Sequence, residues 1–511
     1  FESAGFKNAV QVKIQPDNAD WDAGDIRYNV LRWTSSPKPP FGGYGPSFVN
    51  PKTGEILGAD IMLEWVYITK RIQQGELFEN TGLLLDEENS MDAHYCSASV
   101  LMQSNNLFAH SAVDAMELSE AAKETLVRES LRRLVLHEVG HTLGLNHNFK
   151  GSNLLTYKEI LNKETTYEKG LCSTVMEYPS INFSLKPENQ GLYYDTIPGA
   201  YDHWAIRFAY SEVDEDGLNS ILSESTKHEH GFANDSDDMR GTGKGMDPDA
   251  MIYDLTSEPV LYAIDRMKLV NKIFPTLLDN YRKEGSSHQE LLNSYYTLSG
   301  QYSTSLKIIS RQIAGVRVNR AMVGQDVDSK PFTPVSYADQ KESMNALAKY
   351  AFAPNAFATA KALYPYLQQQ RRGFSTAYGG EDPKIHERVL SIQRMVLGQL
   401  LNRNVLNRMV NTNLYGNEYS LTAYFNDLND AMFKADENTT VNGFRMNLQV
   451  EYINRLIATS KDNRGSPQIR AQVFSLLTAT LNEMKSSKSY DIATDVHRDY
   501  IAHIIKKYFD E

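Results

Sequence analysis

Residues 136–149 read LHEVGHTLGLNHNF, and the three histidines in that run are His137, His141 and His147. Residues four apart on a helix share a face, so His137 and His141 can offer both imidazoles to one metal ion. Glu138 follows the first of them and can face a water molecule instead of the metal. Gly144 permits a left-handed turn that a side chain would obstruct, and the turn brings His147 round as a third nitrogen donor. Three neutral imidazoles leave a zinc ion (Zn2+) positively charged with one position open, the pattern of catalytic rather than structural sites. Such an ion polarises a carbonyl and acidifies bound water, and Glu138 takes the proton as general base. In a chain of this composition an HExxH arises by chance about once in 60, and adding Gly144 and His147 lowers that to about 1 in 40,000. Surface histidines satisfied by water are set aside on that count.

A second element lies downstream, where residues 172–179 read CSTVMEYP. An HExxHxxGxxH followed by a methionine turn resembles the metzincin clan of zinc metallopeptidases. The resemblance implies that Met176 packs beneath the metal-binding histidines. It also places Tyr178 where, in the astacin-like and serralysin-like branches, a tyrosine approaches the zinc and stabilises the oxyanion; a half-buried loop aromatic is the other reading. Asn148 departs from the better-studied branches, which puts their substrate preferences out of reach and leaves the metal site intact. The runs HTLGLNHNFK, YDHWAI, GYGPS and GEILGADI narrow the similarity to a bacterial met-zincin family carrying domain-of-unknown-function labels. The match spans roughly residues 20 to 280, with weaker similarity into the helical remainder. Its members are large, mostly exported proteins, so the resemblance implies a periplasmic, cell-surface or extracellular location, with further domains ahead of this region.

These residues need a scaffold. Asp25–Trp33 and Glu55–Trp65 are rich in β-branched, aromatic and apolar residues and read as strands. From Ser119 to about Leu145 the apolar residues follow a helical period, with Ser119 as N-cap and Gly144 as the stop. Residues 212–250 are acidic and rich in Gly and Ser, and read as a long loop. Helical patterns then dominate: Leu261–Tyr281, His288–Val316, Pro383–Val410, Asn447–Ser460 and Ser466–Lys485. The expected fold is α+β: a metzincin-like catalytic domain over 1–212, a twisted mixed sheet with two long helices on one side, then a linker over 213–258 and an all-α domain over 259–511. An extended peptide substrate is expected along an edge strand, with Glu55–Trp65 or the stretch Ala93–Met102 as candidates.

At 511 residues the chain is long enough for two or three cores. A net charge of −12 argues against nucleic acid or an anionic membrane surface as main partner, since both need a basic footprint. No apolar run is long enough to span a bilayer. The chain begins at Phe1 without a charged-then-apolar leader, and reads as a processed or truncated product whose targeting signal lies upstream. Cys96 and Cys172 make no disulfide framework; they either pair or stay free. Asp202 either orients a group near the metal or simply caps its helix. His203 is superfluous as a ligand, His228-Glu229-His230 reads as a polar loop, and Asp235-Ser236-Asp237-Asp238 lacks the spacing of a calcium loop. The expected activity is endopeptidase hydrolysis of a peptide or protein substrate. Two competing classes are a zinc-binding peptide scaffold without turnover and a metallohydrolase acting on a non-peptide amide.

Overall fold

The computed structural model describes residues 1–36, 43–68, 98–237, 241–282, 284–325, 329–370, 382–486 and 488–511. The Ala93–Ser97 part of one expected edge and Cys96 lie outside them; Cys172 is buried and forms no disulfide among the described residues.

A small mixed sheet opens the fold. Its strands are β1 (Val30–Thr34), β2 (Gly43–Tyr44), β3 (Ser47–Val49) and β4 (Ile56–Glu64). Alternation along β4 turns Ile61 and Leu63 into the core. β4 pairs in parallel with β1 on one side, Val30 opposite Asp60. On its other side it pairs antiparallel with β2, Gly43 opposite Leu63, and with β3, Ser47 opposite Ala59. The strand expected over Asp25–Trp33 starts only at Val30, because the Asp25 carboxylate accepts from the Arg27 backbone N–H and sets a turn there.

Both expected substrate edges need correction. β4 is the central strand, with neighbours on both sides, so its backbone groups are already used. Ala98–Met102 begin a helix, α1 (Ala98–Ala115), whose carbonyls bond internally. Packed with α1 is α2 (Glu120–Thr142). Its N-cap is Ser119, whose hydroxyl accepts from the Ala122 N–H at 3.3 Å.

Residues 213–258 hold more structure than a loop reading allows. Asp214 accepts from the Gly217 N–H and caps a two-turn helix, Glu215–Leu222. Downstream the chain is mostly helical, including Pro259–Ile273, His288–Arg311, Ile385–Leu400, Gly443–Lys461 and Pro467–Ser486. It is not purely so: Val316–Val318 pairs antiparallel with Phe332–Pro334. Helices at Tyr337–Leu347, Leu421–Phe433 and Ile492–Asp510 were not expected from the sequence. One hydrophobic cluster runs from Leu63 and Leu134 through Met267 and Leu306 to Leu448 and Ile501, so apolar burial is continuous across residue 258. No helix among the described residues is long and apolar enough to cross a membrane.

Candidate metal centre

α2 ends at Thr142, and Gly144, with φ +87°, reverses the chain so that His147 faces the helix again. The three rings cluster, with centroids 4.8 Å apart for His137–His141, 4.7 Å for His141–His147 and 5.5 Å for His137–His147. Their ligand nitrogens lie within 4.8 Å of one another. Each Nδ1 is already engaged. His137 donates to Val175 O at 2.7 Å, His141 to Leu145 O at 3.1 Å and His147 to Asp235 Oδ2 at 2.5 Å. That pattern fixes the tautomers and leaves Nε2 of each ring unprotonated.

Burial acts in the same sense on the first two. It holds His137 well below the usual imidazole range, aided by the neighbouring His141, and takes His141 down to about 4. Both rings are therefore neutral, as a ligand must be.

Polar atoms around the cluster test whether a cation fits. His141 Nε2 is buried without a hydrogen-bond partner among the described residues, and the Glu138 carboxylate beside it is buried against the Gly45 N–H. Orphaned buried acceptors are costly, and three converging imidazoles with an adjacent carboxylate are the donor set of zinc chemistry. The residues fit the ion. Burial pushes the Glu138 carboxyl up to about 8, opposed by the Gly45 N–H; a nearby cation would favour its charged form.

Met176 is fully buried, and a Cβ on Gly140 would lie 2.2 Å from its sulfur, so the glycine between the two helical histidines is what admits it. Asn148 N–H donates to Met176 O at 3.0 Å, tying the turn to the third histidine. Tyr178 is buried, and its hydroxyl donates to His147 Nε2 at 2.8 Å. The other sequence candidates fall elsewhere. His203 is exposed. His228 bonds to Asn153 O and His230 to Glu224 O. Asp237 pairs with Arg320.

Of three further contributors, sequence reasoning missed two and left Asp202 open between two roles. Arg133, one turn before His137, is buried; it donates to Val175 O, and to Glu177 O at 2.8 Å. Its spacing of four before His137, and four again to His141, was the available signal. Asp202 serves both roles once weighed for it: it accepts from Thr174 Oγ1 at 2.6 Å and Val175 N–H at 2.8 Å, and from Gly199 N–H at 2.8 Å at the helix start. The third is β2, which passes over Glu138. A Cβ on Gly43 would lie 2.7 Å from Glu138 Oε1.

Three histidines from one helix and the turn behind it, seated on a buried methionine, define the metzincin class of site. A family model described as Met-zincin (DUF4953) matches residues 119–440, well over half of the chain, and the chain belongs to that family. No curated protein and no solved structure matches it.

Proposed function

We propose that this chain is a zinc-dependent endopeptidase, with His137, His141 and His147 as metal ligands, Glu138 as general base and Tyr178 as oxyanion donor. The observation that carries the reading is the convergence of three Nδ1-anchored imidazoles beside the buried carboxylate of Glu138. Zinc, when bound, would supply a Lewis acid that polarises the scissile carbonyl and acidifies water. Glu138 accepts the proton of the attacking water and passes it to the leaving amine. Tyr178, held beside His147, donates its hydroxyl to the oxygen on which negative charge develops. β2 lies at the edge of the described sheet and over Glu138, so an extended peptide would add alongside Gly43–Tyr44. Export of the protein, implied by the family resemblance, would place peptides outside the cytoplasm within reach.

Glu138→Ala tests the reading. The variant should retain zinc, because the three nitrogen ligands remain. Its cleavage of a mixed peptide library, followed by mass spectrometry, should fall by about 10²- to 10⁴-fold. Cleavage at the parent rate would remove Glu138 from the mechanism. Silence from the zinc-loaded parent across the library would favour the non-catalytic scaffold.

A further inference from the structure

We infer that Asp235 is a positioning residue for the third histidine, and that the loop 231–237 is the seat on which His147 is oriented toward a divalent metal. The inference rests on the reading of the three histidines as ligands.

The three rings are held differently. The acceptors for His137 and His141 are backbone carbonyls, Val175 O and Leu145 O, which no substitution removes. His147 instead takes a carboxylate, Asp235 Oδ2 at 2.5 Å, from a residue 88 positions away. A carboxylate on Nδ1–H fixes the tautomer, orients the ring and raises the basicity of the opposite nitrogen, which strengthens metal binding.

The loop is built to present it. Phe149 N–H donates to Ala233 O at 2.7 Å, and Asn148 Nδ2 donates to Gly231 O at 2.9 Å. Ala233 N–H returns a bond to Asn148 Oδ1 at 3.2 Å. The two residues after the third histidine therefore dock along 231–233, and Asn148, by pairing both ways with that backbone, acts as the adaptor. Farther along, the Asp237 carboxylate accepts from Asn234 N–H at 3.1 Å and pairs with Arg320. The loop is thus pinned on both sides of Asp235. Because the Asp235 side chain is 44% exposed, its charge is screened and its loss should be felt at the metal and not in the stability of the fold.

The test uses the full chain, stripped of metal and titrated with zinc against a chromophoric chelator, alongside visible spectra of the cobalt(II)-loaded protein. Asp235→Ala should bind zinc about 10- to 100-fold more weakly than the parent, with cobalt bands displaced and an unchanged melting temperature. Asp235→Asn keeps the acceptor and loses the charge, so it should fall between the two; it also serves if the alanine variant folds poorly. His147→Ala is the control. Weak zinc binding by His147→Ala with parent affinity and parent cobalt bands in both Asp235 variants would overturn the inference alone. Parent affinity in His147→Ala would overturn the ligand reading beneath it.

Discussion

Behind the histidines, Arg133, His137 and Asp202 are at most 4% exposed, and each grips backbone atoms of residues 175–177. In front, the Asp235 side chain is 44% exposed and holds its histidine through a side-chain contact, while β2 leans on Glu138 through a strand of two residues. The rear wall is made of the same packed interior that holds the fold together. The front rim is attached to it. Damage at the rear should therefore appear as lost stability, and damage at the front as lost function in a protein that still folds.

The largest effect is expected at the rear. Arg133→Ala removes the donor to Glu177 O and one of two donors to Val175 O, and leaves the buried Asp195 carboxylate, 3.7 Å from the guanidinium, without its cation. It should cost about 3–5 kcal/mol in urea denaturation. A loss well under 1 kcal/mol would erase the distinction between wall and rim. At the front, Gly43→Ala places a methyl against Glu138 Oε1, and the carboxylate, as the end of a flexible side chain, is what gives way. Melting temperature and zinc content should hold, while kcat/KM for peptide cleavage falls by about 10²-fold through misplacement of the base. Normal kcat/KM would show that β2 does not set the position of Glu138.

A pH dependence separates Glu138 from the histidine beside it. In the metal-free protein Glu138 titrates at about 8 instead of 4.5, because burial penalises its charge. The folded state keeps a proton that the unfolded chain releases, so stability declines as pH rises from about 4.5 to about 8. His141 has the opposite sign. Burial lowers it from 6.5 to about 4, so stability declines as pH falls through that window. Glu138→Gln removes only the first slope. Between pH 5 and pH 8 the metal-free variant should lose less stability than the metal-free parent in chemical denaturation. Parallel curves would mean that Glu138 ionises as an exposed glutamate does.

The metal-site candidates were legible because the local rules that place them act over few residues. The spacing of His137 and His141, the N-cap at Ser119 and the reversal at Gly144 all follow from helix geometry. Met176 and Tyr178 came from resemblance, since nothing local dictates that a loop 29 residues after His147 should return beneath it. Sheet order lay out of reach for a different reason. The composition of β4 marks a strand but not its partners, and so does not distinguish a centre from an edge. Residues 98–102 are apolar and polar in a mixture that suits either period, and the helix formed by residues 103–115 decides the matter. The acidic run 235–238 looked like solvated linker because charge alone does not reveal that a histidine 88 residues earlier awaits one of its carboxylates.

The sequence distances of these contacts order the assembly of the site in time. His147 meets Asp235 across 88 residues, and Lys150 reaches Val318 O across 168. Closing loops of that length carries an entropy cost that winding a helix does not. The histidine helix can form while the chain is still growing, yet its third ring finds its seat only after residue 235 has emerged and docked. A nascent chain thus displays the motif well before it owns the centre, and any hydrolytic capacity arrives late in the protein's own synthesis.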